Sequence, residues 1–362
     1  MSYEFMAIEF AKVTFLFSVI MGFASILSWV ERKQSALMQD RIGANRADIM
    51  GFRLLGLFHI LADGLKGFTK QDFIPPKAHK VLHTIAPGLG FVFAIMAFAA
   101  IPFGGIYVFG DTTVSLQVFP ISSGLLMVFA FMSLGIYGFV LAGWASYNNY
   151  ATLGGLRASS QMISYEITMG ATLIGALIVY GSVQLQEIVL YQGELLWGWL
   201  PKWGLILQPL GCILFVTAAL AETKRVPFDV PEGESEIVGY FVEYSGMKFL
   251  LFFMTDFIET VLAAALTTTL FLGGWQVPYL LADGFHFPWG GEWLLPVWAV
   301  MSLQVGAFIF KVAALCFFFM LIRWTLPRFR WDQLMKLGWT IMLPLSILNT
   351  VVTALVVLLI EG

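Results

Sequence analysis

Charge is what this sequence has least of. Only 12% of the 362 residues are Asp, Glu, Lys or Arg, and the formal net charge is −3. Neither a nucleic-acid surface nor a strongly charged partner fits so weak a balance. Cysteine is nearly absent: Cys212 and Cys316 both lie inside apolar runs, are too few for an iron–sulfur cluster and lack zinc spacing, so they read as buried packing residues. The four histidines, His59, His79, His83 and His286, are scattered without ligand spacing and read as interfacial residues. No Walker sequence, no GxGxxG after a strand and no HxxE or HExxH pattern occurs. No cofactor or metal is therefore expected to bind through a motif of this chain.

Hydrophobic residues are what it has most of. They make up 59% of the chain, with 16% aromatic and a mean hydropathy of +0.83, whereas soluble domains hold about 45–50% apolar residues. The expected fold is all-α and integral to a membrane. Eight runs come near the roughly 20 residues that cross a bilayer core: Phe10 to Val30, Leu82 to Ile101, Phe119 to Gly143, Met162 to Tyr180, Trp203 to Ala221, Phe249 to Leu272, Val297 to Trp324 and Trp339 to Ile360. The first is no cleavable signal, because its basic residues follow the apolar run and a small-residue cleavage pattern is missing. Lys and Arg concentrate in alternate loops: Arg32 to Lys80, Arg157, Lys224 to Lys248, and Arg323 to Lys336, while the other loops hold only Lys202. The positive-inside rule places the basic side in the cytoplasm or its organellar equivalent and both termini outside. No linker or repeat divides the chain, so residues 1–362 are read as one polytopic domain, with a cytoplasmic loop over 31–81 and an acidic one over 222–248.

Within the first loop, Gly51 to Thr69 puts Leu54, Phe58, Leu61, Leu65 and Phe68 on one helical face and Arg53, His59, Asp63 and Lys66 on another. That pattern predicts an amphipathic helix lying in the interface. Asp63 and Lys66, three apart, can pair; a surface anchor and a functional role for the two are both open. Charged residues also fall within or beside the spans: Glu166 in the fourth, Asp256 and Glu259 in the sixth, Lys311 in the seventh. Each costs at least about 2.5–3.5 kcal/mol at a bilayer centre, so such residues usually face protein or water on an ion pathway. An internal ion pair that only positions helices is the alternative. The densest carboxylates run from Glu222 to Glu236. Crowded acids raise one another's pKa and can exchange protons near neutral pH, although Pro227 and Pro231 also suit a plain solvated loop.

Ten short motifs, in order along the whole chain, carry a resemblance. They are Glu31-Arg32-Lys33, Gln39-Asp40-Arg41-Ile42-Gly43, Ala62-Asp63-Gly64-Leu65-Lys66, Ala142-Gly143-Trp144, Arg157-Ala158-Ser159, Ser164-Tyr165-Glu166, Val226-Pro227-Phe228-Asp229, Glu232-Gly233-Glu234-Ser235-Glu236, Glu243-Tyr244-Ser245-Gly246-Met247-Lys248-Phe249 and Pro327-Arg328-Phe329-Arg330-Trp331-Asp332. Together they resemble the H-subunit family of the proton-pumping NADH:quinone oxidoreductases, respiratory complex I. The resemblance implies about eight transmembrane helices, an interfacial helix after the first, and a chamber that takes a quinone headgroup toward an iron–sulfur cluster in a neighbouring subunit. It implies that Arg32, Arg41, Asp63, Lys66 and Arg225 line or support the chamber and its entrance. It implies proton coupling through Glu31, Glu166, Glu222, Asp229, Glu232, Glu234, Glu236, Glu243 and Asp256; Glu259 and Lys311 are candidate intramembrane charges from their place in the spans alone. The chain departs from the family pattern at Ala44, where Pro is usual, and at Asp256-Phe257, where Glu-Tyr is usual.

The implied partners are peripheral-arm subunits at the quinone site, small and antiporter-like membrane subunits, quinone and lipid. Iron–sulfur clusters and flavin are expected in partner subunits only, and the setting is the bacterial cytoplasmic (inner) membrane in preference to an organellar inner membrane. Two other classes fit the residues alone. A cation/proton antiporter also needs intramembrane acids, and would transport in liposomes by itself; a membrane subunit of the hydrogenase-type complexes shares the fold without the quinone, and quinone-site inhibitors would separate it.

Overall fold

The computed structural model describes residues 3–109, 112–233, 237 and 239–361. Glu234 and Glu236 lie outside them. In chain order the helices are α1 (Tyr3–Met38), α2 (Phe58–Thr69), α3 (Lys80–Ala97), α4 (Gly124–Ala145), α5 (Asn149–Tyr180), α6 (Leu185–Gln192), α7 (Gly204–Leu207), α8 (Pro209–Glu222), α9 (Gly246–Phe271), α10 (Val297–Thr325), α11 (Trp331–Lys336) and α12 (Leu343–Glu361). Seven helical stretches among the described residues are long and apolar enough to cross a bilayer, the last running through a wider π-helical turn, Leu337–Met342, from Trp331 to Ile360. The chain is an all-α membrane protein.

The fifth expected span, Trp203 to Ala221, is broken. Pro209 has no N–H to continue the α7 ladder and its ring disfavours helical backbone in the residue before it; Gln208, at φ −137°, ψ 60°, separates α7 from a 14-residue α8. The first helix runs past Val30 through Glu31, Arg32 and Lys33, and stops where Asp40 and Gly43 take left-handed backbone. As the amphipathic pattern predicts, α2 has no buried residue, and Leu61, Leu65 and Phe68 are exposed.

At the centre stands α9, whose most apolar stretch is 67% buried, against 11% for that of α12 at the periphery. It packs on α1, α2, α3, α8 and α10. Small residues permit close crossings: a Cβ on Gly138 of α4 would lie 2.7 Å from the backbone nitrogen of Gly90 in α3. Among the described residues, three small antiparallel sheets cap the end of the bundle opposite Glu222: β1 (Ile106–Phe109) with β2 (Thr112–Ser115), β3 (Leu195–Leu196) with β4 (Leu200–Pro201), and β5 (Leu280–Leu281), β6 (Gly284–His286) and β7 (Glu292–Leu294) in that order. Strands of two to four residues are too short for a period-2 signal, so the sequence pattern gives no sign of them.

Candidate functional site

The charges collect where α8 ends and α9 begins. Asp256 and Glu259, three apart, share one face of α9. Between them stands Lys224, with Nζ 3.0 Å from Glu259 Oε2 and 3.2 Å from Asp256 Oδ1. Its side chain is fully buried, and the ammonium sits 3.3 Å from the centre of the Phe139 ring. Burial works against that charge, but Glu259, Asp256 and Glu232 outweigh it and hold the lysine above its ordinary pKa. Lys224 reaches inward because its backbone turns left-handed, at φ 54°, directly after α8.

Glu222, the last residue of α8, is buried with neither carboxylate oxygen hydrogen-bonded among the described residues. It shares with Glu259 a cavity of about 20 Å³, which is room for a single water. On the adjoining loop, Asp229 Oδ2 takes Arg328 Nη2 at 2.6 Å, while Oδ1 is buried without a hydrogen bond. Burial, opposed by Arg328 and Arg323, lifts the Asp229 pKa to about 6. Glu232 accepts from the Tyr240 hydroxyl at 3.1 Å; burial first, then the charges of Asp256 and Asp229, pushes its carboxyl far above the usual range.

Three distant segments meet at Glu31. Its Oε2 lies 2.9 Å from Arg225 Nη1 and 2.9 Å from Arg323 Nη1, and the Arg225 guanidinium stacks 3.9 Å from the centre of Phe257. Further from this centre, Glu166 accepts from the Ser133 hydroxyl of α4, and Glu243 accepts from Asn148 Nδ2 at 2.8 Å.

A second cavity, about 210 Å³, opens between α1, α2 and α9. Met21, Ser25 and Ser28 wall one side, Ile60, Asp63 and Phe68 another, Phe253 and Met254 the third. Asp63 pairs with Arg32 at 2.6 Å, joining α2 to α1, rather than with Lys66 as its spacing suggests; Lys66 is exposed. Arg41 donates to Gln39 Oε1 at 2.7 Å, and Arg41, Lys66 and Arg225 are not part of the cavity wall.

Lys311 has a different use. Its Nζ donates to the carbonyls of Leu272, Gly274 and Gln276 at 2.7, 3.0 and 2.7 Å, closing the C-terminal end of α9 where a cation complements the helix dipole. That end is about 24 Å along the helix from Asp256, so Lys311 stands apart from the carboxylates. Sequence reasoning does not single out Lys224, Arg323, Arg328 or Tyr240. Lys224 and Arg328 fall inside charged segments that the sequence makes conspicuous, but a lysine turned inward has the same sequence signature as one in solvent. Among the described residues no group of three or more His, Cys, Asp or Glu side chains is arranged to hold a metal ion.

Comparison with known proteins agrees with this architecture. A family model described as NADH dehydrogenase matches residues 11–354. An H subunit of the NADH-quinone oxidoreductase of Cytophaga hutchinsonii is 40% identical over 357 residues, 98% of each chain. The corresponding H subunit of Koribacter versatilis is 40% identical over 366 aligned positions, again 98% of each chain. That of Thermomicrobium roseum is 40% identical over 345 residues, 94% of this chain and 93% of its own. A match of this length and identity places the chain in the NADH dehydrogenase family, among the NADH-quinone oxidoreductase H subunits.

Proposed function

We propose that the chain is the membrane subunit of a proton-translocating NADH:quinone oxidoreductase that forms much of the quinone chamber and couples quinone reduction to proton movement. One observation carries this reading: α9 is the common wall of both parts. Phe253 and Met254 face the cavity between α1 and α2, and Asp256 and Glu259, on the next turns, hold Lys224 in the carboxylate cluster.

A quinone remains in lipid throughout its life, so its chamber has to open sideways, and the α1–α2 gap with its exposed apolar rim suits that need. Arg32 and Asp63 tie α2 in place at the mouth, while Arg41 and Lys66 supply positive charge nearby. Reduction to quinol consumes protons and transiently leaves negative charge. A change of charge beside buried acids shifts the balance among them, because each is already close to a neighbour of the same sign. Asp229, Glu232, Asp256, Glu259 and Glu222 then redistribute protons, with Glu166 and Glu243 as outlying members and Glu31 anchoring Arg225. Glu234 and Glu236 of the acidic segment are assigned to the same set.

The redox groups, iron–sulfur and flavin, belong to partner subunits that dock on the basic loops, and the antiporter-like and small membrane subunits flank the bundle. The setting is the bacterial inner membrane, with the acidic segment inside and both termini outside. The test is the assembled complex carrying Glu234→Gln with Glu236→Gln, and separately Asp256→Asn, in proteoliposomes. Reduced pumping per quinone reduced is expected; undiminished turnover and undiminished pumping in both would exclude the coupling role.

A further inference from the structure

A groove opens at the end of the bundle away from the carboxylates, between α12, the α7–α8 junction and the β3–β4 hairpin. It encloses about 460 Å³, within the roughly 300–1,000 Å³ of small-molecule sites. Its α12 wall is aliphatic, formed by Val352, Val356 and Ile360, all exposed. The polar groups in its floor are bonded to one another: Gln208 Nε2 donates to Thr353 Oγ1 at 2.6 Å, and Asn349 Nδ2 donates to Gln208 Oε1 at 2.9 Å. An alkyl chain laid over them breaks none of these bonds.

The mouth is ionic. Lys202 Nζ donates to Glu194 Oε2 at 2.8 Å, with Lys202 25% and Glu194 59% exposed. The ammonium also lies 5.1 Å from the centre of the Tyr191 ring. On the same hairpin Trp197 and Trp199 are exposed, as aromatic residues are at headgroup depth.

We infer that this groove binds a membrane phospholipid with a zwitterionic ethanolamine headgroup, its acyl chain along α12, its phosphate on Lys202 and its ammonium on Glu194. Two charges of opposite sign side by side match a headgroup that carries both. A purely anionic headgroup meets the Glu194 carboxylate, and an isoprenoid tail carries no charge for either side of the ion pair. A transmembrane helix from another subunit packs best against small residues, whereas this wall is built from branched side chains.

The test reads bound lipid, so it stands or falls separately from the quinone reading. The complex isolated from its own membrane is exchanged into bilayers of phosphatidylethanolamine or phosphatidylglycerol, and retained lipid is counted by native mass spectrometry. Preferential retention of phosphatidylethanolamine is expected. Glu194→Gln should shift the preference toward phosphatidylglycerol by about two- to fivefold, the range an exposed ion pair supports, and Val356→Trp, which fills the groove, should abolish retention of both. Equal retention in the parent, Glu194→Gln and Val356→Trp overturns the inference. A photoreactive residue at Val352, with the mouth unaltered, should label phospholipid; labelling of a partner polypeptide instead also overturns it.

Discussion

Lys224 Nζ lies 3.0 Å from Glu259 Oε2, and this contact between a loop and the central helix joins a fully buried ammonium to a carboxylate only 14% exposed. Removing one member of such a pair costs about 3–5 kcal/mol, because the other is left charged and uncompensated or has to change protonation. Lys224→Met should therefore lower the melting temperature of the complex and abolish or strongly reduce pumping. Adding Glu259→Gln should restore part of the stability, with a coupling of roughly 0.5–3 kcal/mol in a double-mutant cycle. Additive losses would mean that the two do not act as a unit.

Asp229 sets a pH dependence whose sign follows from its environment. Burial outweighs Arg328 and raises the carboxyl to about 6, against about 3.9 in an unfolded chain. The protonated form is the one the fold accommodates better, so its stabilising contribution is complete below about pH 4 and is lost as the pH rises through about 6. An infrared titration should show a protonated carboxyl band with a midpoint near pH 6 that is missing in Asp229→Asn. A band that does not move with pH, or that persists in the variant, would remove the assignment.

The Arg32–Asp63 pair is 41% and 39% exposed, and an exposed pair contributes about 0–1 kcal/mol. Asp63→Asn should leave the melting temperature almost unchanged. If the pair holds α2 at the mouth of the quinone chamber, the same variant should raise KM for short-chain quinones with a smaller effect on kcat. Arg41→Ala should do likewise, and unchanged kinetics in both would count against a role at the entrance.

Lys311→Met separates structure from coupling. It removes the donor shared by three carbonyls at the end of α9, and each buried group left unsatisfied costs about 1–3 kcal/mol. Reduced stability with the proton-to-electron ratio intact is expected in proteoliposomes. A fall in that ratio at unchanged stability would bring Lys311 into the proton path.

Long apolar runs announce their helices because a bilayer admits little else, and the amphipathic α2 declares itself by the spacing of Leu61, Leu65 and Phe68. The break at Gln208 is less visible: Pro209 stands in plain view, but an apolar run on both sides hides the interruption. The hairpins escape notice because strands such as Leu195–Leu196 hold too few residues for a pattern. Within the site, Asp256 and Glu259 fall on one face by their spacing alone. Their cation is not legible in the same way, because contact between Lys224 and α9 depends on a left-handed turn and on packing between residues 35 positions apart. Likewise the partner of Asp63 is not the lysine one turn away but an arginine of α1, a choice made by tertiary geometry.

The triple meeting of Glu31, Arg225 and Arg323 bears on biogenesis. At ordinary elongation rates the ribosome needs roughly 15–60 s to travel from the first of these to the last. Through that interval the Glu31 carboxylate has at most one of its two guanidinium partners available. The cluster is therefore among the latest parts of the chain to mature: a nascent polypeptide released before Arg225 is made leaves the Glu31 carboxylate with neither guanidinium, and one released before α10 is inserted leaves it paired with Arg225 alone.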